Sequence, residues 1–325
     1  MPGRRIVFWV VAAAAVSGTA AVLATHATAE HAPPQRVRMP QALDVRDLPV
    51  PVPIPRRPFH GPALRTPVPV LMYHVIGTPP PSAPYPELFV SRQAFAAQVA
   101  ALARAGYQAI TLERMWQAWH GRATLPARPI VLTFDDGYRG DFGAAMPILR
   151  RHHWPGVLNL LVANLHRHGW GLKTWMVRRM IRRGWEVDSH TLTHPNLTTV
   201  SRQQLWNEVH GARVVLRRLF HVPVRFFCYP SGAYNRAVIA AVRRAGYLGA
   251  TTELPGLARR SAPFTLARVR VDGGELPAAL MQTIRQSSRE RLRPSRRSCY
   301  AAWTARSCSA TTWTSCRRCP TAHSG

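Results

Sequence analysis

Short apolar runs alternate with segments of helical periodicity from about Pro67 to Val271, and this alternation constrains the fold more than any other feature of the chain. Residues 130–134 are typical of a buried strand, whereas residues 91–106 place apolar side chains at helical spacing. Repeated strand–helix units build a parallel sheet covered by helices. The sequence therefore predicts an α/β fold whose sheet closes, or nearly closes, into a distorted (β/α) barrel. Strands are predicted at residues 69–74, 107–110, 130–134, 157–162, 185–188, 225–229, 248–252 and 266–271, and helices at residues 91–106, 111–119, 144–152, 173–183, 201–220 and 237–245.

The two ends of the chain differ from this middle part. Residues 1–29 have the pattern of a targeting segment, with Arg4 and Arg5 before an uncharged apolar stretch and small residues at its end. The segment is either a cleaved signal peptide or a single membrane anchor, since its apolar stretch is just long enough to span a bilayer. In both cases the protein is predicted to be exported, as a secreted, periplasmic or membrane-tethered protein on the outer face of the cytoplasmic membrane.

The chain is predicted to contain one folded domain. Residues 30–66 are proline-rich and predict a semi-rigid linker. Residues 67–275 form the predicted domain. Residues 276–325 are predicted to be a disordered tail, because they are basic, rich in cysteine, arginine and serine, and lack an apolar period.

The charge balance is strongly basic, with 43 basic against 15 acidic residues and a net charge of +28. Codon bias in a GC-rich genome would produce such an excess of arginine. Attraction to an anionic envelope surface is the functional alternative. Specific binding of nucleic acid is not expected, because the basic residues do not form a stripe interleaved with aromatic residues.

Polar motifs follow three of the predicted strands, and in a (β/α) barrel such strand ends meet on one rim. In the first motif, Asp135 and Asp136 precede Gly137. Two adjacent carboxylates do not both ionise easily unless a cation lies beside them. A solvated Asp-Gly turn is the alternative explanation.

The second motif contains Asp188, His190 and His194. One helical turn would place the two imidazoles on the same side, and two imidazoles with a carboxylate form an open site for zinc or another divalent metal. Two surface histidines are the alternative. The third motif is a turn whose backbone N–H groups could face a ligand, or an ordinary βα turn; its residues are Tyr229, Pro230, Ser231 and Gly232.

Taken together, the motifs resemble those of the polysaccharide deacetylases, the NodB homology domain of carbohydrate esterase family 4. The resemblance covers residues 69–271 and depends on Thr-Phe-Asp-Asp-Gly at 133–137 and Ser-His-Thr-x-x-His at 189–194. Val-Leu-Met-Tyr-His at 70–74 and Tyr-Pro-Ser-Gly at 229–232 are more similar to the branch that acts on exopolysaccharides such as poly-N-acetylglucosamine.

This resemblance implies a metal-dependent hydrolase that removes N-acetyl groups from envelope or extracellular polysaccharide. It implies that Asp135 is the general base and that Asp136, His190 and His194 hold a divalent metal, with Zn²⁺ favoured over Co²⁺, Ni²⁺, Mn²⁺ and Fe²⁺. N–H groups of the turn around Ser231 would face the substrate and stabilise the oxyanion.

The sequence also departs from the commoner family pattern. It lacks a Leu-x-His motif late in the domain, but the similar branch carries an equivalent histidine early, in its Tyr-His element, so the resemblance implies His74 as the general acid. An unperturbed pKa of about 6.5 would suit that role. A packed or solvated histidine at a strand end is the alternative. Cys228 stands where many members have an arginine that orients the base, and Arg225 lies three residues too early to replace it. Ser231 replaces a usual tyrosine and Asp188 a usual glycine, and both changes are expected to alter the substrate groove more than the chemistry.

Two other functions fit parts of this pattern. An envelope-glycan-binding protein that kept the fold and lost efficient catalysis would explain the missing arginine and the unusual tail. A non-haem iron oxygenase also uses two histidines and a carboxylate, but the second adjacent aspartate and the βα context disfavour it.

Overall fold

The computed structural model describes residues 65–289, which contain a barrel of parallel strands. The strands in this range are β1 (Val70–Tyr73), β2 (Val75–Ile76), β3 (Phe89–Val90), β4 (Gln108–Ala109), β5 (Pro129–Asp135), β6 (Val157–Leu160), β7 (Glu186–Ser189), β8 (Phe226–Cys228), β9 (Gly249–Pro255) and β10 (Leu266–Arg270). The helices are α1 (Arg92–Arg104), α2 (Leu112–Trp119), α3 (Met146–Arg150), α4 (Thr174–Ile181), α5 (Arg202–Trp206), α6 (Ala212–Phe220), α7 (Arg236–Arg244) and α8 (Pro277–Arg289).

Seven of the described strands close into a ring in the order β1-β10-β9-β8-β7-β6-β5, and β5 pairs back with β1. Every pairing in this ring is parallel. The short β4 pairs with the first residues of β5. This arrangement confirms the predicted (β/α) barrel.

Alternate residues of the ring strands face the barrel interior. On β5, Ile130, Leu132 and Phe134 pack in a large apolar cluster with helix side chains, whereas Val131 belongs to a smaller cluster. Because successive side chains of a strand point to opposite faces, Thr133 and Asp135 share the interior face with Val131. The interior is therefore apolar at one end and polar at the other.

Helix α2 and the strand starts form the apolar floor of the barrel. Thr111 begins α2 by accepting the N–H of Arg114 at 3.1 Å. The smaller apolar cluster includes Val70, Val131, Val157, Phe226 and Leu266 from the strands and Leu112, Met115 and Trp119 from α2. This floor leaves the carboxyl ends of the strands as the end where a ligand can enter.

Three helices differ from the sequence prediction. The helix predicted at 144–152 begins as a π-helical turn (Asp141–Ala145), and a second π-helical turn (Asn207–Gly211) interrupts the helix predicted at 201–220. Helix α8 extends the packed domain beyond the boundary predicted at residue 275, because Leu280 and Ile284 are buried in the larger cluster. The arginine-rich sequence that follows obscured this apolar spacing.

The predicted targeting segment at 1–29, nearly all of the linker at 30–66 and the tail beyond residue 289 lie outside the described residues and stay predictions. Between residues 65 and 289, no helix has both the length and the apolar character needed to cross a bilayer.

Asp141 begins the first π-helical turn and is buried. Neither oxygen of its carboxylate makes a full hydrogen bond within the described part of the chain. Burial raises the pKa of Asp141 well above its usual range, and the charge of Asp136 adds to this, while a backbone contact with Tyr138 opposes it only in part. The folded protein therefore keeps a proton on Asp141 that the unfolded chain loses near pH 3.9, the approximate ordinary pKa.

We expect Asp141→Asn to remove a pH dependence of the folding stability. Because the folded pKa is raised, the contribution of Asp141 to the free energy of unfolding is full below about pH 4 and is lost as the pH rises through the folded pKa. Chemical denaturation should show that, between about pH 4 and pH 8, the free energy of unfolding of the wild type falls by about 1–3 kcal/mol more than that of the variant. Asp272→Asn is the control, since it removes a half-exposed carboxylate that pairs with Arg270 and leaves Asp141 in place. Parallel stability curves for the wild type and Asp141→Asn would contradict the assignment.

Candidate active site

Asp135 and Asp136 diverge at the end of β5. Asp135 is the last residue of the strand and is buried, whereas Asp136 is partly exposed. Asp136 has a φ of 72° and Gly137 a φ of 80°, so the chain turns sharply in the left-handed region. The turn directs the carboxylate of Asp135 into the barrel and that of Asp136 to its mouth.

Asp136, His190 and His194 meet at the mouth as one set of donor atoms. Oδ1 of Asp136 lies 3.6 Å from Nε2 of His190 and 3.9 Å from Nε2 of His194. The donor atoms of the three residues all lie within 4.8 Å of one another. One carboxylate and two imidazoles at these separations can converge on a divalent cation and leave positions open for water and substrate.

The histidines are oriented for ligation. Nδ1 of His190 lies 2.9 Å from the carbonyl oxygen of Cys228, so Nδ1–H donates there and the Nε2 lone pair faces Asp136. The Nε2 atoms of His190 and His194 are 3.1 Å apart. Two lone pairs at this distance repel each other unless a proton or a cation lies between them. The donor set therefore fits a metal ion.

A loop, and not the predicted helical turn, brings His190 and His194 together. Thr191 and His194 have φ values of 73° and 63°, so the segment is not helical. Glu208, buried in the second π-helical turn, accepts the N–H groups of Leu192 and Thr193 at 2.9 Å each. Sequence reasoning missed Glu208, whose carboxylate holds the loop in this shape.

A buried arginine holds Asp135. Arg268 in β10 is 2% exposed, and its Nη1 lies 2.9 Å from both carboxylate oxygens of Asp135. Nδ2 of Asn159 donates to Oδ1 of Asp135 at 2.7 Å. Burial acts to raise the pKa of Asp135, but the Arg268 cation and the neighbouring histidines hold it well below its usual value. Asp135 is therefore kept as a carboxylate.

Arg268 corrects the expectation that no arginine orients Asp135. The rejected candidate, Arg225, pairs with Glu113 instead, with 2.9 Å between Nε and Oε1. The sequence did contain a signal for Arg268. It lies two residues after Leu266 on the same face of a buried strand, where a charged side chain needs a partner. The missing arginine is one of two arguments for an impaired glycan-binding protein, and Arg268 removes that argument; the other, the unusual tail, lies outside the described residues.

Cys228 lies beside the Arg268–Asp135 pair. Its Sγ is 3.5 Å from Oδ2 of Asp135 and 3.4 Å from Nη2 of Arg268. Asp135, His190 and Cys228 also offer donor atoms within 4.8 Å of one another. The guanidinium group repels a cation at that position, which favours the set formed with Asp136.

His74 faces Asp135 from the end of β1. Its Nε2 lies 4.0 Å from Oδ2 of Asp135. Burial lowers the pKa of His74, and the carboxylates of Asp135 and Asp136 oppose this only in part. The structure thus places the predicted acid beside the predicted base, but the pKa of His74 is not the unperturbed value that the sequence analysis assumed.

The turn after β8 offers fewer donors than the sequence predicted. Pro230 has no N–H, and the N–H groups of Tyr229 and Gly232 donate to backbone carbonyls. The buried Tyr229 hydroxyl donates to the carbonyl of Phe264 at 3.1 Å. Ser231 has a φ of 49°. The hypothesis of a backbone donor in this turn therefore narrows to the N–H of Ser231.

Asp188 is buried in the barrel and does not shape the groove as expected. Its Oδ1 accepts the N–H groups of Arg225 and Phe226 at 3.2 and 2.8 Å. Burial raises the pKa of Asp188 to about 6. Its carboxylate fixes the start of β8.

Comparisons with known proteins agree with this geometry. A family model for polysaccharide deacetylase matches residues 122–250. A Bacillus subtilis (strain 168) protein named as a polysaccharide deacetylase, YxkH, is 28% identical over 209 residues, which are 64% of this chain and 72% of that protein. The poly-β-1,6-N-acetyl-D-glucosamine N-deacetylase of Escherichia coli (strain K12) is 38% identical over 68 residues, which are 21% of this chain and 10% of that protein.

A solved structure extends the match to the whole barrel. The Streptococcus pyogenes deacetylase PplD superposes with a TM-score of 0.63 at 25% identity, covering 68% of this chain and 99% of that chain. The region matched by the family model includes Asp135, Asp136, His190 and His194. The described barrel is therefore a polysaccharide deacetylase domain of the NodB homology type, as deacetylase hydrolases have.

Proposed function

We propose that this protein is a metal-dependent hydrolase that removes N-acetyl groups from a polysaccharide containing N-acetylglucosamine. One observation carries the proposal: a carboxylate held in its ionised form, Asp135, lies beside an open set of metal donors that begins at Asp136. Amide hydrolysis needs an activated water and an electrophile for the carbonyl oxygen, and this pair of features supplies both.

Asp136, His190 and His194 would hold the metal. Zn²⁺ is the first candidate, because imidazole and carboxylate ligands with open positions suit it, and Co²⁺, Ni²⁺, Mn²⁺ and Fe²⁺ accept similar ligands. When bound, such an ion supplies Lewis acidity that polarises the acetyl carbonyl and acidifies water.

Asp135 accepts the proton of the attacking water. Arg268 and Asn159 fix the orientation of its carboxylate, and its lowered pKa keeps it ionised at neutral pH. A carboxylate of low pKa is a weak base, and it would suffice if a metal ion held by Asp136, His190 and His194 acidified the water. The N–H of Ser231 would donate to the oxyanion.

His74 donates a proton to the leaving amine. An amine anion is too poor a leaving group to depart without one. The imidazole of His74 lies 4.0 Å from Asp135, so acid and base can serve one acetamide group. Its lowered pKa makes it a readier donor once it is protonated.

One relative supports the proposed substrate class. The Escherichia coli relative is named for poly-β-1,6-N-acetyl-D-glucosamine, and the segment shared with it motivates the same class of polymer here. We take poly-N-acetylglucosamine as the first candidate and other acetylated envelope glycans as the next.

We further propose that the protein is exported, by cleavage or tethering of its first residues, and works at an anionic envelope surface. Helices α4, α6 and α7 carry arginines in their last turns. In a (β/α) barrel these turns lie at the end opposite the strand carboxyl ends. The cations would then face an anionic surface while the site faces the polymer.

The first test of this function separates metal binding from proton transfer. We expect His194→Ala to lose both bound metal and acetate release, and Asp135→Asn to lose acetate release while keeping the metal. Metal content and acetate release from N-acetylglucosamine oligomers measure the two properties. His120→Ala, an exposed histidine at the end of α2, is the matched control. Equal loss of metal in Asp135→Asn and Asp136→Asn would show that the two roles are divided wrongly.

The second test concerns the acid. His74→Ala should lower kcat by about 10²-fold or more, the usual scale of lost general acid catalysis, with the metal retained. His152→Ala, which changes a histidine between α3 and β6, should leave kcat unchanged. Near-normal turnover in His74→Ala would move the acid role to another group.

The third test concerns Arg268 as a positioning residue. Without the guanidinium the pKa of Asp135 rises, so the acidic limb of the kcat/KM profile of Arg268→Gln should move up by about 1–3 pH units. Arg268→Lys keeps the positive charge but lacks the planar guanidinium group. The acidic limb of its kcat/KM profile should therefore stay in place, and its kcat should fall. An unmoved limb in folded, metal-loaded Arg268→Gln would rule out this role. If Arg268→Gln does not fold, Arg268→Lys gives the test, and a displaced acidic limb in its kcat/KM profile would also rule out the positioning role of Arg268.

A further inference from the structure

Trp170 is a large aromatic side chain that is partly exposed beside the site. It lies in the loop after β6 and is 42% exposed. Its ring packs against that of Tyr138, with centroids 5.3 Å apart and an interplanar angle of 33°. One side of the indole is thus supported by protein, and much of the remainder contacts solvent.

Tyr138 connects this indole to the candidate metal centre. Tyr138 follows Asp136 by two residues in the turn after β5, and its hydroxyl lies close enough to the Asp136 carboxylate to interact with it. Trp170 lies one tyrosine ring away from a metal ligand.

The loop that carries Trp170 is built onto the turn after β5. Tyr138 and Gly171 form an antiparallel bridge. The N–H of Arg139 donates to the Trp170 carbonyl at 2.7 Å, and the N–H of Leu172 donates to the Gly137 carbonyl at 3.0 Å. These bonds fix the backbone of Trp170 relative to the turn that carries Asp136 before any ligand arrives.

Close packing on the other side of the loop adds to this rigidity. Nδ2 of Asn164 donates to the backbone carbonyl of Asp136 at 3.2 Å. A Cβ at Gly171 would lie 2.1 Å from the carbonyl oxygen of Asn164, so only glycine permits this approach. A solvent-facing tryptophan on so constrained a loop is preorganised for contact with a ligand.

We propose that Trp170, supported by Tyr138, is a binding platform for a second sugar ring of the substrate polymer. A pyranose ring has an apolar face of C–H groups that can cover the exposed indole, and its hydroxyl groups can stay in water at the rim. The inference rests on the proposed function, because the sugar on the platform is a neighbour of the one whose acetamide reaches Asp136. It makes Trp170 a determinant of polymer length preference.

A second exposed tryptophan shows the contrast. Trp175, at the start of α4, is 52% exposed. Its ring packs edge to face against the ring of Phe142, with centroids 5.2 Å apart. Phe142 lies in the π-helical turn before α3. Trp175 therefore has similar exposure and chemistry without the connection to Asp136, and it serves as the matched control.

The experiment measures binding in an Asp135→Asn background, which blocks turnover. Calorimetric titration with a β-1,6-linked N-acetylglucosamine pentamer and with the monomer gives two dissociation constants for each variant. Trp170→Ala should weaken pentamer binding roughly tenfold, because the apolar face of the second sugar then stays in water instead of covering the indole. Monomer binding should stay within about twofold of the parent, since one sugar at the metal does not reach the platform.

Two further variants sharpen the result. Trp170→Phe keeps an aromatic face and should recover most of the pentamer affinity, and Trp175→Ala should bind both ligands as the parent does. Equal losses for monomer and pentamer, or no loss for either, would overturn the platform. Pentamer binding that depends on Trp170 in a protein whose wild type releases no acetate would refute the hydrolase and support the platform. Acetate release by the wild type, together with pentamer binding that does not depend on Trp170, would support the hydrolase and refute the platform.

Discussion

The buried ion pair between Arg268 and Asp135 is the interaction on which the rest of the site depends. A charge in a barrel interior costs several kcal/mol when it is unpaired, so the surrounding positions must satisfy it. Nε of Arg268 donates to the Thr252 carbonyl at 2.8 Å and Nη1 to the Thr133 hydroxyl at 3.1 Å, while Asn159 donates to the carboxylate. The polar residues on the interior faces of β5, β6 and β10 are thus explained by one pair.

The ion pair between Arg268 and Asp135 also explains why the adjacent Asp135 and Asp136 lie in different surroundings. Arg268 binds the carboxylate of Asp135 inside the barrel. The left-handed turn at Asp136 and Gly137 is therefore needed to bring the carboxylate of Asp136 to the mouth of the barrel. Neighbouring residues of identical chemistry thereby enter different electrostatic environments. One faces a guanidinium that excludes a second cation, and the other faces two imidazoles that favour one.

The sequence predicted the barrel and the motif residues because both are local patterns. Buried strands, helical spacing and strand-end motifs are each contained within a few residues. It did not predict Arg268, which contacts Asp135 across 133 positions of sequence, nor Glu208, which shapes the histidine loop from a separate helix. It also misjudged how His190 and His194 meet, because a spacing of four suits a helical turn and a compact loop equally. Periodicity can place a residue such as Arg268 on the interior face of a strand, but it does not identify the distant residue that it contacts.

Tyr138 connects the two proposed functions, since its hydroxyl lies beside the carboxylate of Asp136 and its ring packs against that of Trp170. A sugar bound on Trp170 would therefore act on the side chain beside Asp136, the proposed metal ligand. Because the loop is bonded to the turn after β5 at two backbone positions, the contact cannot shift without straining that turn. Binding energy gained from a remote sugar can in this way favour the reactive geometry at the acetamide, which is how remote contacts come to raise kcat as well as affinity.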